Sequence, residues 1–269
     1  MILLKDLLAF TLKQARAALF GGAFLFLIFA STHFSIPGLP RYDFLFLAAV
    51  AIQIIMLIFK LETIDEAKTI VLFHIIGLVL EIYKTNPAIG SWAYPETGYL
   101  KIFSVPLYSG FMYASVGSYI ANAWKGFNLK LINYPHYLYS IVLGSLIYIN
   151  FFTNHFIYDF RLFLIAVIFA LYRKTWVEFT PRTKTYRMPL GLGFVLIALF
   201  VWIAENIATF YGAWQYPSQI HVWQIVSFHK ITSWFLLVII SFIIVAYLKY
   251  FKAATATRPQ NPAQQFPTA

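Results

Sequence analysis

Two glutamates and two histidines recur at matching places in the two halves of this 269-residue sequence. Thr32-His33-Phe34 answers Asn154-His155-Phe156, and Glu81 answers Glu205. Behind each glutamate comes a Gly-x-Trp-x-Tyr-Pro segment: GSWAYP at 90–95 and GAWQYP at 212–217. LFLAAV at 45–50 and LFLIAV at 162–167 keep the same order between histidine and glutamate. The offsets run from 117 to 124 residues, so short insertions keep all four matches in register. Ordered self-similarity of this kind is the mark of an internal duplication.

If the duplicated groups converge, two imidazoles and two carboxylates could hold a divalent metal, with His33 and His155 as ligands. They could equally do acid–base work, because an apolar site favours the neutral form of a carboxylic acid. Glu81 and Glu205 are then the candidate catalytic acids. His74, seven residues before Glu81 and on the same helix face, would be a relay. Trp92, Tyr94, Trp214, Tyr216 and Asn206 are candidates to line a site for an apolar, polyene-like or cationic substrate. Plainer roles stand beside these. Lys84 follows Glu81 by about one helical turn, which offers a helix-end salt bridge. The Trp and Tyr pairs suit an interfacial aromatic belt. His74 suits an interhelical hydrogen bond, and His33 and His155 suit contacts with headgroups.

The elements that must position these residues follow from hydropathy. Hydrophobic residues make up 61% of the chain and charged ones 11%, whereas a soluble domain carries about 25% charged residues. Such a chain needs lipid as solvent. Apolar runs at 17–34, 43–59, 69–84, 102–123, 137–153, 158–172, 190–211 and 229–249 read as transmembrane helices. The expected fold is an all-α membrane bundle of eight spans in two parallel four-helix repeats, over residues 17–130 and 131–252. Residues 1–16 read as an interfacial amphipathic helix, and the polar, Pro-containing 253–269 as a disordered tail.

The net charge of +10 does not point to nucleic acid, because the basic residues lie between apolar runs rather than on one polar face. The positive-inside rule accounts for them. With the N-terminus in the cytoplasm, only Arg41, Lys84, Lys101, Arg161 and Lys230 of the 20 basic residues fall outside. Both termini are therefore expected in the cytoplasm of a multi-pass cell-membrane protein. Cysteine is absent, so thiolate metal ligands and disulfides are excluded. No P-loop, HExxH or GxSxG motif occurs.

Glu81, the 90–95 segment and the succession of spans resemble the YoaT-like family of bacterial integral membrane proteins, over nearly the whole chain. That resemblance implies a topology and no particular activity. Over a shorter stretch, Glu81, Gly90, Trp92, Tyr94, Val105 and Pro106 are similar to membrane carotenoid hydratases and small lycopene cyclases. This second resemblance implies that Glu81 donates a proton to a polyene. The second half departs from it, since Ser227 rather than proline follows Val226. The leading expectation is an enzyme acting by acid–base chemistry on a lipid or isoprenoid near the outer leaflet. A small transporter or flippase and a non-catalytic scaffold are the alternatives. The expected partners are the bilayer and an apolar or amphiphilic small molecule.

Overall fold

A computed structural model describes the backbone of residues 2–256 and the side chains of residues 3–249. Helices dominate: α1 (Ile2–Ala17), α2 (Leu19–Ala30), α3 (Arg41–Ile58), α4 (Ile64–Lys84), α5 (Gly110–Phe127), α6 (Tyr137–Thr153), α7 (Arg161–Tyr172), α8 (Leu190–Phe210) and α9 (His229–Ala256). Their limits follow local chemistry. Thr63 and Glu66 close a reciprocal capping box at the start of α4, satisfying donors that a helix N-terminus leaves free. Pro40 and Pro189 precede α3 and α8. Asn128, in the left-handed region, ends α5, as short polar side chains permit.

Among the described residues three helices are long and apolar enough to cross a membrane: α3, α8 and the His229–Lys249 part of α9. A fourth span results if α1 and α2 count as one element broken by a 65° bend. The chain is thus a mostly helical, membrane-associated protein. Each of the eight apolar runs overlaps one of the helices α2–α9. The run at 102–123 is displaced, however. Its front forms a hairpin of β1 (Lys101–Ile102) and β2 (Val105–Pro106) and a 3-10 turn, and its helix begins only at Gly110. Phe103 takes a positive φ of 54° in that hairpin, and Pro106 has no N–H to give a helix.

The all-α expectation is corrected in a second place. A three-stranded antiparallel sheet, β3 (Lys130–Ile132), β4 (Trp176–Phe179) and β5 (Tyr186–Pro189), forms from segments read as connecting loops. Runs of three or four residues that mix apolar and charged side chains carry little strand signal. Helix α1 docks on this end of the molecule. Asp6 accepts from the Tyr186 hydroxyl at 2.8 Å, and Lys13 donates to the Thr180 carbonyl at 3.0 Å. Leu3, Leu4, Leu7, Leu8 and Leu12 of α1 remain exposed. Residues 253–256, expected in the tail, continue α9; the rest of that tail lies outside the described residues.

The main apolar cluster runs through α2–α9, and a small second one joins Ala17 to Ala123 and Phe127 of α5. Helix α4 packs most extensively on α5, and α8 on α9. Gly77 of α4 and Gly117 of α5 make the first contact close, since a Cβ at either would collide with Tyr113 or Phe73.

Candidate functional site

Helices α4 and α8 each carry a buried glutamate near their last turn: Glu81 and Glu205 are 2% and 3% exposed. After each helix the chain turns through a glycine with positive φ, 59° at Gly90 and 70° at Gly212. Only glycine adopts this conformation without strain. Each turn sends the following Trp-x-Tyr-Pro segment back over the helix end. The two segments meet there as an antiparallel bridge. Ala93 and Gln215, the residues between Trp and Tyr in each, exchange both backbone hydrogen bonds at 2.9 Å.

Glu81 accepts three hydrogen bonds. Trp92 Nε1 and the Tyr94 hydroxyl both donate to Oε2 at 2.7 Å. The Tyr113 hydroxyl of α5 donates to Oε1, also at 2.7 Å. Glu205 accepts two, from the Tyr216 hydroxyl at 2.6 Å and from Trp234 Nε1 of α9 at 2.8 Å. Burial, and then the nearby carboxylate charge, push the Tyr94 and Tyr216 hydroxyls well above the ordinary tyrosine pKa. Both therefore stay protonated and remain donors. The Tyr113 and Trp234 rings lie 6.2 Å apart, so the two carboxylate assemblies touch.

Beside them is a cavity of about 230 Å³. Glu81, Glu205, Trp92, Trp214, Tyr216, Tyr113 and Trp234 form much of its wall. Lys84, His155, Asp159, Arg161 and Lys230 add charge or polarity. Lys230, from the first turn of α9, lies 4.5 Å from the Tyr216 ring centroid and 5.2 Å from that of Trp92. Its charge acts on both glutamates. Lys84 Nζ donates to Asn154 Oδ1 at 3.1 Å and lies 3.0 Å from His155 Nε2. Arg161 pairs with Asp159 at 3.0 Å. Burial, then the Lys84 and Lys230 charges, hold the His155 imidazole below its ordinary pKa.

The expected residues thus divide. Glu81, Glu205, Trp92, Trp214, Tyr216 and His155 all line the cavity, and Tyr94 stands behind it on Glu81. Asn206 works on the backbone instead: its Oδ1 accepts from Val226 N and its Nδ2 donates to the Trp202 carbonyl, both at 2.8 Å. His74 packs on the Phe111 ring at 4.4 Å, its Nδ1 without a hydrogen-bond partner. His33 is exposed, its ring on Phe29. Among the described residues no group of three His, Asp or Glu side chains is placed to hold a metal ion. Lys84 does not make the helix-end salt bridge with Glu81; it turns to Asn154 and His155, while aromatic donors occupy the carboxylate.

Sequence reading missed Tyr113, Trp234, Arg161 and Lys230, yet signals for them exist. Tyr113 and Trp234 are 121 residues apart, against 122 for Trp92 and Trp214. Tyr42-Asp43-Phe44 leads straight into LFLAAV, whereas Tyr158-Asp159-Phe160 is separated from LFLIAV by one extra residue, Arg161.

Fold and site together define a helical membrane-associated protein with a charged cavity against paired Trp-x-Tyr-Pro segments. A family model described as protein of unknown function (DUF817) matches residues 6–242, and the chain belongs to that family. It is 47% identical over 257 residues to "Uncharacterized protein YoaT" of Bacillus subtilis (strain 168), covering 96% of this chain and 97% of that relative. No solved structure matches.

Proposed function

We propose that this protein is a multi-pass membrane enzyme that admits the polar head of an amphiphilic substrate to the cavity and works on it by acid–base chemistry. In this proposal α2–α5 and α6–α9 are parallel repeats spanning the membrane, α1 lies along the cytoplasmic interface, and both termini are cytoplasmic. The symmetric Ala93–Gln215 bridge and the matching α4–α5 and α8–α9 packing support the duplication. The leucines exposed on α1 support an interfacial helix.

The observation that carries the function is convergence. Charged residues are scarce in this chain, yet Glu81, Lys84, Asp159, Arg161, Glu205 and Lys230 line one cavity. Ionisable groups within a membrane bundle are costly and serve function by default. The proton-donor role implied for Glu81 meets a geometric obstacle, because both its oxygens already accept from fixed donors. Glu81 and Glu205 instead hold the aromatic wall in place. Proton exchange falls to Lys84 and His155, which lie within hydrogen-bond distance of each other and face the cavity.

Toward the bundle interior the space narrows. A pocket of about 20 Å³, sharing Leu80, Tyr113 and Leu237 with the cavity, is otherwise lined by Phe73, Ile76, Gly77, Tyr148, Ile240 and Ser241. So narrow and mainly apolar a continuation favours a one-sided enzyme over a carrier. Lipid extracts of cells with and without the protein test this. A lipid-like species should change in abundance, with restoration by the wild type and not by a stably inserted His155→Gln variant. An unchanged profile, or full restoration by that variant, overturns the proposal.

A further inference from the structure

Acidic and basic groups around the cavity are used differently. Every carboxylate has partners: Glu81 and Glu205 accept from aromatic donors, and Asp159 accepts from Asn150 Nδ2, Arg161 N and Arg161 Nη2. Of the cations, only Arg161 has a carboxylate partner, Asp159. Among the described residues neither Lys84 nor Lys230 forms an ion pair with a carboxylate. Lys84 is nonetheless only 5% exposed. Arg161 Nη1 faces Thr232 Oγ1 and the His229 carbonyl, and Nη2 pairs with Asp159. Arg161 Nε is buried with no hydrogen-bond partner. A buried donor left unpaired costs stability, and the charges of Lys230 and Arg161 both act on Lys84. Three cations thus line one cavity and keep donors that no carboxylate takes up, which suits them to an anion entering from outside.

From this geometry we infer that the cavity is a phosphoryl-binding site, with Lys84, Lys230 and Arg161 receiving the oxygens of a phosphate ester. Three separate donor groups call for more oxygens than the two of a carboxylate. A phosphoryl group supplies three, and Arg and Lys are its usual ligands. The rings of Trp92 and Tyr216 under Lys230 fix that ammonium by its cation–π contacts. The placement of these residues agrees. They stand at the C-terminal end of α4 and the N-terminal ends of α7 and α9, three of the five basic positions that break the positive-inside pattern. The other two are engaged elsewhere: Arg41 on Glu96, and Lys101 on the Glu96 carbonyl. The duplication does not account for these cations either. Arg161 is an extra residue, and Ala208 and Ser109 stand 124 residues after Lys84 and 121 before Lys230. Shared framework and added cations are what a ligand-specific site on a duplicated scaffold requires.

The inference rests on the cavity being the substrate site and not on any turnover there, so binding alone tests it. The full-length protein in detergent is titrated with inorganic phosphate, with phosphatidic acid and with diacylglycerol, following intrinsic tryptophan fluorescence and thermal stability. Trp92, beside Lys230, is the reporter. Phosphate or phosphatidic acid should perturb the fluorescence and raise the unfolding temperature saturably, and diacylglycerol should do neither. Saturation by phosphatidic acid alone identifies a lipid headgroup as the source; saturation by inorganic phosphate identifies a free phosphoryl ligand. Lys230→Gln and Lys84→Gln should each weaken binding by about tenfold, while Lys125→Gln, far along α5, should not. No saturable response of the wild type to either phosphate source overturns the inference, as does equal binding by the folded Lys230→Gln protein. If phosphate binds but the His155→Gln lipid profile matches wild type, the site stands and the acid–base chemistry falls.

Discussion

Glu81 and Glu205 sit in the same frame and are held by different numbers of donors. Each ends a long helix, precedes a positive-φ glycine, and takes a hydroxyl from the tyrosine of a Trp-x-Tyr-Pro segment. Each also takes a donor from the next helix pair partner, Tyr113 or Trp234. Glu81 adds Trp92, which lies 11 residues on. In the second half that same separation of 11 belongs to Tyr216, because two fewer residues lie between Glu205 and its segment than between Glu81 and its own. Trp214 therefore lies too early in the chain to repeat the Trp92 bond. The difference teaches that a shared carboxylate frame sets the wall, while small changes of register and the added cations decide what the wall faces.

The largest expected effect comes from removing the frame. Glu81→Leu strands two buried hydroxyls and the half-buried Trp92 indole, and Glu205→Leu one buried hydroxyl and the half-buried Trp234 indole. Each stranded donor costs about 1–3 kcal/mol. Thermal unfolding in micelles should therefore show Glu81→Leu less stable than Glu205→Leu by roughly one such increment, about 1–3 kcal/mol. Equal losses would break the comparison. The Gln variants keep an acceptor at each site and should lose less.

A smaller effect sharpens the contact between the two assemblies. Tyr113→Phe and Trp234→Phe each remove one donor to a carboxylate, about 1.5–3 kcal/mol for a bond to a charged group. Their rings lie 6.2 Å apart, so the double variant should depart from additivity by about 0.5 kcal/mol or more. Strict additivity would mean the two glutamates are independent stations.

Most of the helical scaffold was legible because lipid-facing helices demand long apolar runs. The front of α5 was not, since Phe103 and the hairpin before Pro106 are as apolar as a helix would be. The matched segments exposed Glu81, Glu205 and their Trp and Tyr neighbours, because polar residues kept in register are rare in such a sequence. His33 and His155 matched in sequence but diverged in space: one lies on Phe29, the other faces Lys84. A sequence match cannot say which ends of helices close on an axis. The helix-end salt bridge open to Lys84 does not form for a related reason. Helical spacing brings Lys84 within range of Glu81, yet donors arriving from distant segments had already filled that carboxylate.

The smallest expected effect concerns pH and the pair that only one half possesses. His155 lies in the connection after α6, largely exposed, with Lys84 and Lys230 disfavouring its charged form and Asp159 favouring it. Burial and the two lysine charges outweigh Asp159, so its folded pKa lies below the ordinary imidazole value of about 6.5. The sign follows from linkage. As pH falls through the unfolded value, the unfolded chain takes up this proton before the folded one does. Stability contributed by neutral His155 is therefore complete above about pH 6.5 and declines as pH drops toward the lower folded value. Solvent screening keeps the change below about 1 kcal/mol. Unfolding temperatures of wild type and His155→Gln, compared at about pH 7.5 and about pH 5.5, should converge or cross on the acid side. Glutamine does not titrate, so only the wild type loses this contribution. A parallel decline in both proteins would show that His155 carries no depressed pKa, and that Lys84 does not hold it neutral.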